Sequence, residues 1–239
     1  MEAALLAWFE HHRRDLPWRR SRDPYAVLVS EVMSQQTQLE RVVPRWEAWL
    51  ARWPTVEALA AASPADVIRA WQGLGYNRRA LNLHRAARHV ARYGWPYDLT
   101  ELPGVGRYTA DALACFAFGR DVLPVDVNVR RVSARTQHEF SAAAAEALMD
   151  LGATVCLARV PRCGDCPLAS GCPSRGRRYE PVRRQGGRFE GSFRQRRGAT
   201  LSAVTAAARP LTDLDADAVA SLLRDGLVHV EEGSVSLPG

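Results

Sequence analysis

The sequence predicts an all-α fold with a small C-terminal tail of mixed structure, and three observations predict it. Apolar residues recur at helical spacing from Glu2 to about Thr154, strand-like alternation is nearly absent over that span, and Pro or Gly marks the short connections. The first helix carries Ala4, Leu5, Trp8 and Phe9 on one face. Asp23-Pro24 places a capping side chain before a proline, which opens the next helix through Leu28 and Val32; Ser63-Pro64 repeats that signal further on. Between them lies the helical pattern Val42-Val43-Trp46-Leu50, and after them Leu83-Ala86-Ala87-Val90. Connections fall at Trp53-Pro54, Gly73-Leu74-Gly75, Trp95-Pro96 and Pro103-Gly104. Arg107 to Phe118 reads as a helix, and Asp126, after Leu123-Pro124-Val125, as the start of another.

Beyond Cys172 the composition changes. Nine arginines and two acids lie between Pro173 and Arg197, with Gly186-Gly187 and Gly191 among them, which reads as a basic linker. The tail then predicts a helix over Ala199–Ala208, a turn at Pro210, a second helix near Asp217–Asp225, and a hairpin from Leu227 to Leu237 turning at Glu232-Gly233. Two helices and a hairpin suggest a winged-helix-like module, with a small docking appendage as the alternative. The domain organisation expected is therefore 1–155 for the helical domain, 156–172 for a cysteine-rich loop, 173–197 for the linker and 198–239 for the module.

The chain has 239 residues, 47% of them hydrophobic and 24% charged, which is ordinary for a soluble globular protein. No apolar run approaches the ~20 residues of a membrane span, and the N-terminus lacks a signal-peptide pattern, so a cytoplasmic, nucleoid-associated location without membrane contact is expected. Net charge is +6, and every basic residue among its Lys and Arg total is Arg. The guanidinium's planar fork suits phosphate, so nucleic acid is the leading partner class. A GC-rich genome would also inflate Arg and Ala.

Cys156-x6-Cys163-x2-Cys166-x5-Cys172 packs four of the five cysteines into a short span. Four thiolates can hold either zinc or a [4Fe-4S] cluster. Zinc sites usually show two CxxC knuckles, and only Cys163/Cys166 forms one here; the long first gap with Pro161 and Pro167 fits a loop round a cluster better. Cys115, in an apolar stretch, reads as a small core residue. Leu102-Pro103-Gly104-Val105-Gly106 is a Gly-x-Gly turn opening a helix, which frees backbone N–H groups at the positive end of the dipole to grip a phosphate.

Together these features resemble the helix-hairpin-helix DNA glycosylase superfamily, and within it the MutY-type adenine glycosylases. The matching stretches are Leu16-Pro17-Trp18-Arg19, Ser30-Glu31-Val32-Met33-Ser34-Gln35-Gln36-Thr37-Gln38, Gly73-Leu74-Gly75-Tyr76, the hairpin with Arg107-Tyr108-Thr109-Ala110, Asp126-Val127-Asn128-Val129, Met149-Asp150-Leu151-Gly152-Ala153, and the cysteines. They fall in the family's order over about two thirds of the chain.

The resemblance implies a [4Fe-4S] cluster on Cys156, Cys163, Cys166 and Cys172, and a monomer acting on double-stranded DNA that carries a mismatch or oxidised base. It implies hydrolysis of the N-glycosidic bond of adenine opposite G or 8-oxoguanine after base flipping, in base excision repair. Glu31 matches the general acid; its largely apolar helix would raise its pKa. Asp126 matches the carboxylate that stabilises the sugar cation or bonds to it covalently, the two-carboxylate logic of glycoside hydrolysis. Tyr108 and Asn128 match supporting active-site positions. Gln36 and Tyr76 match residues inserted into the duplex, with Thr37 beside them. Trp18, Arg19 and Glu146 match the lining of the adenine pocket, and Gly104, Gly106 and Arg107 the strand grip. Arg159 and Arg162 are expected to face phosphates. The chain has no lysine for a Schiff base, so a monofunctional enzyme is expected.

The pattern also departs from the family. Only 19 residues separate Asp126 from Glu146, Val127 replaces a glycine, Ser34 an apolar residue, and Asn77 a second aromatic. The 67 residues after Cys172 are too few for the family's Nudix-like domain. The rival readings are a thymine or uracil mismatch glycosylase on the same fold, and a DNA-binding iron-sulfur protein without catalysis.

Overall fold

A computed structural model of the chain describes residues 1–180 and 188–239. It is dominated by helices: α1 (Glu2–His12), α2 (Pro24–Ser34), α3 (Leu39–Arg52), α4 (Val56–Ala60), α5 (Pro64–Ala70), α6 (Arg78–Tyr93), α7 (Arg107–Phe116), α8 (Val127–Thr136), α9 (Ala145–Thr154), α10 (Phe193–Ala206) and α11 (Ala216–Arg224). The short strands β1 (Arg209–Pro210), β2 (His229–Glu231) and β3 (Ser234–Ser236) form one antiparallel sheet in the order β1-β3-β2. The expected caps act as written: the Ser63 hydroxyl accepts from the Asp66 N–H at 3.1 Å, and an Asp23 carboxylate oxygen accepts from the Tyr25 N–H at 3.1 Å.

The chain divides into two compact units, each made of two segments: Met1–Leu28 with Val105–Arg184, and Val29–Gly104 with Gln185–Gly239. This differs from a continuous helical domain over 1–155. In the first unit α8 and α9 pack as a pair and α1 lies against α9, burying Leu5, Val129, Val132, Leu148, Leu151 and Leu168 together. The Glu2 carboxylate fixes α1 by accepting from the N–H and hydroxyl of Ser141 at 2.9 and 2.5 Å. The short stretch between Asp126 and Glu146 consists of α8, a left-handed Gln137, a brief connection, and a 3-10 turn at Ala142–Ala144 leading into α9.

In the second unit α6 packs on α4 and α5, while Trp49 meets Trp53 and Trp71 edge to face. The tail belongs to this core. Leu201 and Val204 of α10, Val219 and Leu222 of α11, and Val235 of β3 are buried with Ile68 and Leu81 from the early segment. The tail is thus no separate module in packing.

Its first helix begins at Phe193 rather than Ala199, so the supposed linker ends inside α10. The cause is local. Ser192 caps it by accepting from the Gln195 N–H at 3.3 Å, and Arg196 and Arg197 pair with Asp215 and Asp225 at 3.4 and 2.5 Å. Part of the linker expectation, residues 181–187 with Gly186-Gly187, lies outside the described residues. The hairpin turns at Glu232 (φ 47°) and Gly233 (φ 75°), the paired left-handed geometry of a tight two-residue turn. Among the described residues no helix is long and apolar enough to cross a membrane.

Candidate active site and cysteine loop

Asp126 is the N-cap of α8. One carboxylate oxygen accepts from the N–H groups of Asn128 and Val129 at 2.8 and 2.7 Å; the other accepts from the Asn128 side-chain amide at 2.8 Å. A carboxylate offers about four lone pairs, so three donors leave one free on the outer oxygen. Asn128 is held in turn, because Arg131 donates to its carbonyl oxygen at 2.6 Å and to the backbone carbonyls of Gly152 and Cys156 at 2.6 and 2.8 Å. Gly152 lets α8 and α9 approach this closely: a Cβ there would sit 2.5 Å from the Asn128 Cβ. Two stretches singled out in the sequence, Asp126–Val129 and Met149–Ala153, thus form one packed contact.

On the other side of α9, Asp150 is fully buried, its carboxylate accepting from the Arg14 N–H and Nε at 2.9 and 2.6 Å and from both terminal nitrogens of Arg19 at 2.8 and 2.9 Å. Burial alone would raise its pKa, but the Arg19 fork, the Arg14 N–H and both guanidinium charges together hold it below the usual carboxylate range. Arg19 is thereby committed to Asp150, and only its Nε faces Glu146, at 3.4 Å. Burial pushes the Glu146 carboxyl up, Arg19 and Arg13 opposing and Asp150 assisting. The sequence brought Arg19 and Glu146 to the same place; Asp150, which orients Arg19, it left without a role.

Tyr108 sits half-buried in the first turn of α7, and Trp18 half-buried in the 3-10 turn Pro17–Arg20. Before α7 the hairpin has the anticipated geometry. Gly104 adopts φ +79°, and a Cβ there would lie 2.7 Å from that of Asn82; Gly106 is the N-cap, and Arg107 is exposed, paired with Asp111 at 3.0 Å.

Glu31 lies half-buried on α2, whose Tyr25, Val27, Leu28, Val29, Val32 and Met33 are buried. Past the end of α2, Gln36 is exposed and left-handed (φ 55°), and so is Tyr76 (φ 46°) in the Gly73–Tyr76 loop. One residue the sequence reading passed over, Arg79, donates to both of these turns.

The four cysteines line one cavity, walled elsewhere by apolar side chains such as Val132, Leu151, Val155 and Leu168 and by Arg135, Arg162 and Arg175. All four thiols are free. Burial raises the Cys166 thiol, the Leu168 N–H lowers it, and charge on the other three would raise it further, so four thiolates this close call for a cationic group between them. N–H donors already point at sulfur: Gly176 N to Cys163 Sγ and an Arg135 nitrogen to Cys156 Sγ, each at 3.4 Å. Among the described residues no three His, Cys, Asp or Glu side chains close on a single metal ion. Arg159 and Arg162 on this loop are exposed and form no ion pair among the described residues. Cys115 is half-buried, with burial raising its thiol.

Comparison with known proteins adds an independent line. Residues 29–151 match the family described as HhH-GPD superfamily base excision DNA repair protein. The adenine DNA glycosylase of Mycolicibacterium smegmatis is 43% identical, covering 98% of this chain and 95% of that one. That of Mycobacterium tuberculosis H37Rv is 44% identical over 98% and 92%. Among solved structures, a thermostable thymine-DNA glycosylase superposes with a TM-score of 0.65 at 27% identity, covering 72% of this chain and 94% of that one.

Proposed function

Because the chain belongs to the HhH-GPD superfamily of base excision DNA repair proteins, we infer that it is an adenine DNA glycosylase, monofunctional, acting on adenine opposite G or 8-oxoguanine. The observation that carries this reading is likeness to adenine glycosylases over nearly the whole of both chains.

Hydrolysis needs a proton on the departing base and negative charge beside the sugar. Glu31 supplies the proton, so that the C–N bonding electrons leave with a neutral base. Asp126 supplies the charge: its three N–H donors hold the carboxylate in place, and its remaining lone pair faces no protein donor among the described residues. Water then adds to the sugar cation and gives up its proton to the Glu31 carboxylate, which restores the acid. Tyr108 stands where a lyase would need an amine, and the chain contains no lysine, which supports strand-intact hydrolysis. Gly104 and Gly106 grip a phosphate, Gln36 and Tyr76 enter the duplex, and Trp18 and Glu146 receive the extruded adenine beside Arg19.

The cysteine cavity fits a [4Fe-4S] cluster, with Cys156, Cys163, Cys166 and Cys172 as ligands. The cluster would fix the loop that displays Arg159 and Arg162 and supply no step of the hydrolysis.

The test is base release from end-labelled duplexes carrying A:G, A:8-oxoG, T:G and U:G pairs, with hot alkali to reveal abasic sites and Glu31→Gln as control. Release from the adenine strand alone, lost in the variant, is expected. The likeness to a thymine-DNA glycosylase favours a second reading, and release at T or U would establish it instead.

A further inference from the structure

Arg79 engages six acceptors in the second unit. One terminal nitrogen donates to the carbonyls of Val32 and Gln35 at 2.7 Å and of Met33 at 3.1 Å; the other reaches the Thr37 hydroxyl at 3.2 Å and the carbonyls of Leu74 and Gly75 at 3.1 Å. The guanidinium also lies 5.2 Å from the Trp71 ring centre and 5.6 Å from that of Tyr76. A cation thus caps the C-terminal end of α2, directly after Glu31, and binds the same charge to the Gly73–Tyr76 loop.

Two of the four non-glycine left-handed residues among the described residues, Gln36 and Tyr76, sit in the two turns that Arg79 joins. Such backbone is unfavourable for an L residue and persists only where the surroundings over-determine it. The bonds from Arg79, with the Trp71 indole donating to the Gly75 carbonyl at 3.0 Å and Arg41 donating to that of Gly73, supply that determination.

We propose that Arg79 is a positioning residue that locks Gln36 and Tyr76 into one rigid wedge, so that extrusion of the target base depends on a side chain that makes no bond to DNA. This rests on the reading of Gln36 and Tyr76 as the inserted residues. An exposed-looking arginine in a basic DNA-binding protein would ordinarily be assigned to a phosphate, but both terminal nitrogens of Arg79 are occupied by the protein, and its Nε is buried without an acceptor. Burial also lowers its pKa to about 10, leaving it charged at neutral pH. Lysine would keep the charge but cannot span six acceptors in two turns.

The experiment uses a duplex with a fluorescent adenine analogue opposite G, and measures fluorescence per bound complex, affinity against salt, and thermal unfolding for Arg79→Lys, Arg79→Met and Thr37→Val. For Arg79→Lys we expect extrusion to fall about tenfold or more, affinity to change less than about threefold, and the salt slope to stay at the parent value. Parent-like extrusion in Arg79→Lys overturns the proposal. So does a salt slope reduced by about one, the mark of a lost phosphate contact. Should Arg79→Met not fold, Arg79→Lys alone decides, and Thr37→Val, which removes one of the six acceptors, is expected to lower extrusion in the same direction. Gln36→Ala and Tyr76→Ala are measured alongside. If they extrude normally while Arg79→Lys does not, the wedge assignment has failed and not the geometry around Arg79.

Discussion

Replacing Asp150 by asparagine tests the packing behind the candidate adenine pocket. The carboxylate has no solvent exposure and accepts four hydrogen bonds from Arg14 and Arg19. Asparagine keeps the shape but removes the charge and turns two donor hydrogens toward a cluster that already consists of donors. Removing one partner of a buried ion pair costs about 3–5 kcal/mol, and the 30% exposure of Arg14 places this case near the lower figure. At about 2–4 °C per kcal/mol for a chain of this size, the melting temperature should fall by roughly 6–12 °C at pH 7. The pH dependence has a definite sign. The folded-state pKa of Asp150 is lowered, so its stabilisation is present above the unfolded value near 4 and is lost as pH falls through the folded value. Melting curves of parent and variant should therefore converge only in acid. Arg19→Met in the same chain should cost less when Asp150→Asn is already present, with a coupling of about 1–3 kcal/mol. A variant melting within 2 °C of the parent, or a gap that persists undiminished in strong acid, would refute this account.

Asp126→Asn keeps a competent N-cap, so stability should change by less than about 1 kcal/mol while single-turnover base release falls by about 10²–10⁴ or more; a proportionate loss of both would reduce Asp126 to a cap. Gly152→Ala drives a methyl group to 2.5 Å from the Asn128 Cβ, and should cost about 1–3 kcal/mol in urea unfolding and slow base release through displaced Asn128; unchanged unfolding would mean that α8 and α9 separate freely. Cys166→Ser should give a colourless protein, whereas the parent should be yellow-brown and carry about four iron and four sulfide per chain; zinc in place of iron would refute the cluster.

Features that depend on a few adjacent residues were legible in the sequence. The caps at Asp23, Ser63 and Asp126, the Gly104-x-Gly106 turn, the Glu232-Gly233 hairpin and the cysteine spacing each encode their geometry locally. Partnerships across long stretches of chain were not. Asp150 pairs with residues 131 and 136 positions away, and nothing beside it in α9 names them; its charge between the apolar Met149 and Leu151 was the available signal. Arg79 was hidden for a different reason: in a chain rich in arginine, one that binds carbonyls looks like one that binds phosphate. The Ser63-Pro64 cap marked where α5 begins, periodicity marked an apolar pattern on α6, and the tail read as two helices and a hairpin, but nothing local showed that these elements meet around Ile68 and Leu81.

That shared core has a consequence for synthesis on the ribosome. Ile68 and Leu81 emerge early, yet the side chains that cover them, from Leu201 to Val235, are translated long after them. The second unit therefore closes only after Val235 has been translated, and until then its unfinished apolar face depends on chaperones or rapid collapse for protection. A premature stop codon beyond the cysteines would act as a core lesion, removing the side chains that cover Ile68 and Leu81 from a chain that then cannot complete its fold.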